Sequence, residues 1–266
     1  IPEALTHDTL GHWHNLLIGH HRHIETIGQY RTHEESMEIV SGPDYAKKIH
    51  FVAPPSNCVP QEMEQLMQWI ENTSPSGNHH LPPLTRAGLA HIWFESIHPF
   101  EDGNGRIGRA ISEKILSQGH NNPVMIVLAQ ALLKNKKAYY EQLGKASITL
   151  DMTDWLLWFA KIVLEAQHST YLWVHWIIEK SKFIRAAQDK INQRQEKLLL
   201  RLFHAGPEGF IGGLSAHNYM AITGATTATT TRDLRDLVEK EILKKTGELK
   251  ATRYYLNLTM PSDAIL

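Results

Sequence analysis

The sequence predicts a mainly helical protein of two unequal domains. Three observations carry that reading. Apolar residues recur at helical spacing through most of the chain from Leu10 to Phe183. One stretch, 28–55, departs from that period and alternates instead. A polar run, "DKINQRQ" at 189–195, then separates this part from a shorter one with its own set of elements.

The elements follow in order. "THDTLGHWHNLLIGHHRH" sets Leu10, Trp13, Leu16 and Leu17 at helical spacing behind a Thr or Asp cap, in a helix ending near Gly19. In 28–55, Met37 and Ile39 alternate with acids, Ile49, Phe51 and Ala53 alternate in turn, and "SGPD" stands between them: a β-hairpin. Pro60–Asn72 is helical, with Met63, Leu66, Met67 and Ile70 on one stripe, and "TSPSGNHHLPP" ends it. "TRAGLAHIWFESI" carries Leu89, Ile92, Trp93 and Ile97 on a buried stripe until Pro99 disfavours helical geometry at His98. Ile107, Ala110, Ile111 and Ile115 restart the period at about Gly105. From Asp151 to Phe183 the chain is helical and largely apolar, and Trp155, Trp158, Trp173 and Trp176 read as packing residues.

Beyond the polar run, "EKLLLRLFHAG" is a short helix, and "LSAHNYMAITG" with "ATTATTTRDLRDLVEKEILKKTG" reads as helix, turn and helix. "ELKATRYYLNL" alternates like a small hairpin. Together these predict a winged helix-turn-helix domain at 191–266, after a first domain at 1–190.

Composition narrows the function. With a formal net charge of -1, the chain as a whole has no field to draw it onto nucleic acid or an anionic membrane, so any basic site is local. The one cysteine, Cys58, excludes an intramolecular disulfide and fits a reducing compartment. The apolar run from Trp155 to Ala166 is interrupted by Lys161 and is too short to cross a bilayer, and no secretory signal opens the chain. The expectation is a soluble, cytoplasmic protein. The chain opens at Ile1 without a methionine, so a segment upstream is expected.

The chemistry concentrates in "HPFEDGNGRIGRA", 98–110, between two buried helices. Gly103, Asn104 and Gly105 run into a helix start, where backbone N–H groups lack partners and the helix dipole favours negative charge. Glycine lets that backbone turn and approach an anion closely, which makes a phosphate cradle. Arg106 and Arg109, three apart, share a helix face and reach an anion at its tip. Asp102 beside a polyphosphate is repulsive unless a cation stands between them, and magnesium resolves the conflict. His98 is the group in the loop able to accept a proton near neutral pH. Isolated, a His before Pro ends a helix and a Gly-Asn-Gly makes a turn; six polar groups in this order read as nucleotide chemistry. No GxxxxGK[ST] pattern is present.

"HPFEDGNGRIGR" resembles the signature of the Fic family, His-Pro-Phe-x-Asp/Asn-Gly-Asn-Gly-Arg-x-x-Arg, and meets every defined position. The resemblance covers roughly the first two thirds of the chain. It implies a helical core with the motif between two central helices, a β-hairpin flap nearby, and a bacterial source for this architecture with its winged helix. It implies that His98 takes the proton from a target hydroxyl, which attacks the α-phosphate of ATP. Asp102 would hold Mg2+, Gly103, Asn104 and Gly105 would cradle the phosphates, Arg106 would hold the β- or γ-phosphate, and Arg109 would set the γ-phosphate. Pro99 and Phe100 would be structural. The product would be an adenylylated Tyr, Thr or Ser on a target protein, or on the chain itself, with the flap aligning the target segment by strand-like pairing. Phosphotransfer is the alternative chemistry. Family members are often inhibited by a helix bearing Ser/Thr-x-x-x-Glu-Gly/Asn, whose glutamate pairs with the arginine corresponding to Arg109. This chain has no match to that pattern.

Two further signals compete. His12, His14, His20, His21, His23 and His33 fit no zinc-ligand spacing and read as surface or flap contacts. From Ile191 to Met260 ten Lys/Arg stand against seven Asp/Glu, a net of +3. Thr230, Arg232 and Arg235 on the second helix of the pair are candidates for DNA or partner contact, while Asp233 and Asp236 count against tight DNA binding. Partner docking or homo-oligomerisation is the preferred reading for this domain, and a nucleotide-sensing DNA-binding regulator is the alternative.

Overall fold

The computed structural model describes residues 3–19, 26–35, 37–41, 48–120, 123–207 and 209–259. The chain divides into two compact units, Ile1–His168 and Ser169–Leu266. The sequence boundary at 190/191 falls at a short 3-10 turn, Gln188–Lys190, inside the second unit. Among the described residues no helix is long and apolar enough to cross a membrane.

The first unit opens with α1 (His7–Ile18), whose cap is Thr6, its hydroxyl accepting from the Thr9 N–H. Gly11 allows residues 26–31 to lie against this helix: a Cβ there would stand 2.5 Å from the Gly28 carbonyl oxygen. β1 (Glu38–Ser41) and β2 (Lys48–Val52) pair antiparallel with a bulge between Ile39 and Val40. Residues 42–44 of the expected "SGPD" turn, like His20, His21 and His23, lie outside the described residues. α2 (Val59–Asn72) buries Met63, Leu66, Met67 and Ile70, the stripe read from the sequence, and Val59 besides.

α3 (Pro83–Ile97) and α4 (Asn104–His120) form the centre of this unit, with the loop between them. Buried Arg86 fastens the start of α3 to the end of α2 by donating to the Ile70 carbonyl and to Thr73 Oγ1. The Trp155 indole donates to the Gly88 carbonyl at 2.8 Å, where the missing side chain admits Leu156 and Phe159. These belong to α7 (Thr153–Ala187), whose first part contributes Trp155, Phe159, Ile162 and Ala166 to the first core. α5 (Leu128–Lys134) and α6 (Lys136–Ala146) are not predicted by the sequence pattern. α5 has only seven residues, too few to display a clear period, and Asn135 separates it from α6 with its side-chain amide on the Ala131 carbonyl and Glu165.

The second unit contains the rest of α7, α8 (Gln193–Phe203), α9 (Ala216–Thr223), α10 (Thr227–Glu239) and the antiparallel strands β3 (Leu243–Thr246) and β4 (Arg253–Leu256). Its core gathers Trp176, Leu198, Leu202, Phe203, Leu214, Tyr219, Leu234, Leu237 and Leu243. Capping boxes start α8 at Asn192 and α9 at Ser215. Gly224, at φ 72°, turns the chain from α9 into α10. The sequence reading prolongs α10 through "EILKKTG"; instead Glu241 adopts φ 56° and the first strand stands before Gly247. Leu214 bridges to Tyr254 on the edge of this hairpin.

Candidate active site

His98 ends α3 in the left-handed region, φ 48° and ψ 60°, with its N–H still bonded to the Phe94 carbonyl. Pro99 explains the break, because it excludes helical geometry at the residue before it. The ring's Nδ1 lies 3.3 Å from the Glu95 carbonyl oxygen. A carbonyl only accepts, so Nδ1 carries the hydrogen and Nε2 keeps its lone pair. Burial holds the imidazole down to about 4, with the Glu95 carbonyl opposing and the Arg31 charge adding to the fall. At neutral pH the ring is a proton acceptor.

The loop folds on two side chains. Phe100 is fully buried beneath it. Asn104 is 2% exposed and its amide is turned inward, accepting from the Phe100 N–H at 2.9 Å and donating to the Phe100 carbonyl at 2.7 Å. What Asn104 offers a ligand is therefore its backbone, not its side chain. Gly103, at φ 83°, has its N–H held by Asp102 Oδ1. The first donors of α4 to find acceptors inside the turn are Arg106 and Ile107, both on the Gly103 carbonyl. The Asn104 and Gly105 N–H groups stand at the open helix end.

Asp102 is half exposed, and its Oδ2 lies 3.4 Å from Arg106 Nη2. One accessible carboxylate beside a ring of backbone donors suits magnesium, which takes one or two protein carboxylates and leaves its other positions to phosphate and water. Arg109 lies deeper. Its Nη1 would be 3.3 Å from a Cβ at Gly105, and among the described residues no hydrogen bond or ion pair holds its guanidinium. Below it α3 and α4 enclose a polar chain. Tyr139 donates its hydroxyl hydrogen to His91 Nε2 (3.0 Å), His91 Nδ1–H donates to Ser112 Oγ (3.1 Å), and Ser112 donates to the Gly108 carbonyl (3.0 Å).

Residues 4–116 match the model of the Fic/DOC family. A protein adenylyltransferase Fic of Nematostella vectensis is 29% identical over 145 residues, 54% of this chain and 29% of that protein. A probable protein adenylyltransferase of Aquifex aeolicus is 29% identical over 96 residues, 36% of this chain and 26% of that one. The chain thus spans under a third of the length of these curated relatives. The crystal structure of a Fic family protein from Desulfovibrio desulfuricans G20 superposes with a TM-score of 0.52 at 25% identity, covering 94% of this chain and 68% of that one.

The loop between α3 and α4 depends on two residues to which the sequence reading gives no role in the site. Arg31 is 1% exposed and donates to the His98 and Ile97 carbonyls, the Pro54 carbonyl and Ser56 Oγ. His14, read as a surface contact, is fully buried and stacks on Phe100 at 4.3 Å. Its Nδ1 accepts from the Gly28 N–H at 2.8 Å, so its Nε2–H donates to the Asp102 carbonyl at 3.1 Å. Glu95 gave a signal that could be read: it is an acid on the buried face of α3, one turn before His98.

In the second unit, described on its own, Arg232 and Arg235 are exposed. Thr230 is not a contact residue: it is 1% exposed, on the stripe that Leu234 and Leu237 bury. Of the two acids, Asp233 is buried, whereas Asp236 stays half-exposed. Asp233 receives the Arg194 guanidinium at 3.0 and 3.2 Å and the Tyr219 hydroxyl at 2.9 Å, and Asp236 receives Gln195 and Lys240.

Proposed function

We propose that this chain transfers AMP from ATP to a hydroxyl of a protein. The observation that carries the reading is His98 beside the open N-terminus of α4, with Nδ1–H turned to the Glu95 carbonyl and Nε2 left to accept a proton. The target oxygen forms a bond to the α-phosphorus as its proton passes to Nε2, the bond to the bridging oxygen breaks, and pyrophosphate leaves. Backbone N–H groups of Asn104 and Gly105, with Gly103 giving the turn, receive phosphate oxygens, and Arg106 and Arg109 neutralise the outer phosphates. Asp102 would hold Mg2+, which supplies charge neutralisation on the phosphates. The adenylyltransferases of Nematostella and Aquifex support ATP as the donor. The hairpin β1–β2 gives the target an edge to pair with, the role of a flap.

The test uses ATP labelled at the α- or the γ-phosphate, magnesium, and parent or His98→Ala protein. α-label on protein, lost in the variant, is the expected result. γ-label alone means phosphotransfer and defeats the proposal.

A second reading concerns residues 191–259, taken as a winged helix that docks a partner or DNA. The burial of Asp233 against Arg194 and Tyr219 favours DNA, because it removes one acid from the outer face of α10, where Arg232 and Arg235 stand exposed, with Lys244 and Lys245 exposed on β3. Gel shifts on random and genomic fragments across a salt series decide it, with Arg232→Ala/Arg235→Ala expected to flatten the salt dependence.

A further inference from the structure

The His98 imidazole, as it stands, is a weak base for the transfer just proposed: burial holds it down to about 4, whereas a base works best near the pH of the reaction. Its charged form must gain a partner as the reaction proceeds. Asp102 also favours that form, but it lies exposed on the loop against Arg106. Glu95 is placed differently. Its carboxyl is 7% exposed, with Oε2 3.9 Å from His98 Nδ1, and Oε1 has no hydrogen-bond partner among the described residues. α4 presents glycine to it at two positions: a Cβ at Gly108 would lie 2.8 Å from Oε1 and one at Gly105 3.8 Å. A buried carboxyl without a full set of partners costs stability that a leucine in the same space would not. Its position against the ring supplies a reason for it.

We infer that Glu95 is the positioning residue of His98: it favours the Nδ1–H tautomer, and its carboxylate stabilises the charge the imidazole gains on taking the target's proton. The inference rests on the transfer reading. The proton stays on the ring at Nε2, Nδ1 keeps its own hydrogen, and Glu95 faces the new charge without accepting either, as the orienting carboxylate of a base does.

The electrostatics agree. Burial lifts the Glu95 carboxyl to about 7 while the Arg109 charge pulls it down. The titratable groups around it are His91 and His98 on α3, Arg109 on α4, and Tyr139 and Tyr140 on α6. Where His98 titrates, near 4, Glu95 still carries its proton, so its carboxylate is not among the influences that set that value. Ionised, it acts. Transfer therefore rises as the pH passes up through about 7.

The experiment takes the whole chain as parent, Glu95→Gln and Glu95→Asp, with His98 assigned by difference against His98→Gln. Imidazole 15N shifts against pH read the His98 tautomer and midpoint, and α-labelled ATP reads transfer against pH. In Glu95→Gln the His98 midpoint is expected to stay near 4, where Glu95 is uncharged in the parent as well, while the Nδ1–H preference weakens above pH 7. Transfer should fall by a factor on the order of 10 to 100, lose its rise near neutrality, and keep its KM for ATP, with Glu95→Asp recovering part of the loss. If the His98 tautomer above pH 7 is alike in parent and Glu95→Gln, or if transfer falls with an unchanged pH profile, Glu95 is structural and the inference is overturned. A parent that transfers no AMP defeats the transfer reading, while the 15N titration still decides the pairing of Glu95 with His98.

Discussion

Arg31 Nε donates to the His98 carbonyl at 2.8 Å, and the Arg31 N–H bonds the Pro99 carbonyl at 2.9 Å. The remaining donors of this buried cation serve Ile97, Pro54 and Ser56, so neutral acceptors solvate it, and burial draws its pKa down. One side chain thereby joins the end of α3 to the segment that follows β2, and helps hold His98 in a backbone region that a non-glycine residue rarely occupies. Arg31→Lys keeps the charge but cannot reach all four acceptors. It is expected to cost about 2 to 4 kcal/mol in urea unfolding and to lower AMP transfer more than ATP affinity. Unchanged stability and transfer in that variant would refute the role.

His98→Ala removes the proposed base and leaves the backbone donors of α4 in place. AMP transfer should fall by a factor on the order of 10² to 10⁴ with ATP binding largely intact. Calorimetric titration with ATP and magnesium beside the transfer assay checks both halves. Transfer at the parent rate removes His98 from the mechanism.

The legible parts are those whose signal is local in sequence. The stripe of α2 buries the residues its spacing predicts, α4 buries Ile107, Ile111 and Ile115, α3 buries Ile92 and Ile97 but leaves Leu89 and Trp93 half-buried, and the loop between α3 and α4 is recognisable from residue types within a dozen positions. Arg31 and His14 act across 67 and 88 residues, and a lone Arg or His in a polar segment gives no sign of such a partner. Thr230 is a different case. Its place four residues before Leu234 and seven before Leu237 sets it on their buried stripe, but a run of threonines reads as a polar face.

Asn104 separates two roles that the sequence reading merges. Its side chain staples Phe100 by one accepted and one donated bond, both fully buried, and its N–H alone faces outward. Asn104→Ala should therefore lower stability by about 1 to 3 kcal/mol and weaken ATP binding and transfer together, because the loop loosens. If the variant melts like the parent and only ATP affinity falls, the amide contacts phosphate directly.

Acid should loosen the first unit through His91. Its ring accepts from Tyr139 at Nε2 and donates to Ser112 at Nδ1, so a second ring proton meets a donor in a site closed to solvent. Burial holds the imidazole down to about 4, against an ordinary value of 6.5. Between those two values the unfolded chain binds the proton and the folded one does not. The stability is thus complete above pH 6.5 and falls as the pH drops to about 4, by about 3 kcal/mol for this group. His98, lowered by the same burial, adds to the loss, and Glu95, held up at about 7, opposes it because the folded state takes its proton first. His91→Gln keeps both of those groups, so the difference between parent and variant isolates His91. Urea unfolding followed by tryptophan fluorescence should show the parent losing more stability than His91→Gln between pH 7 and pH 4. Equal losses would mean that the buried ring is not what acid attacks.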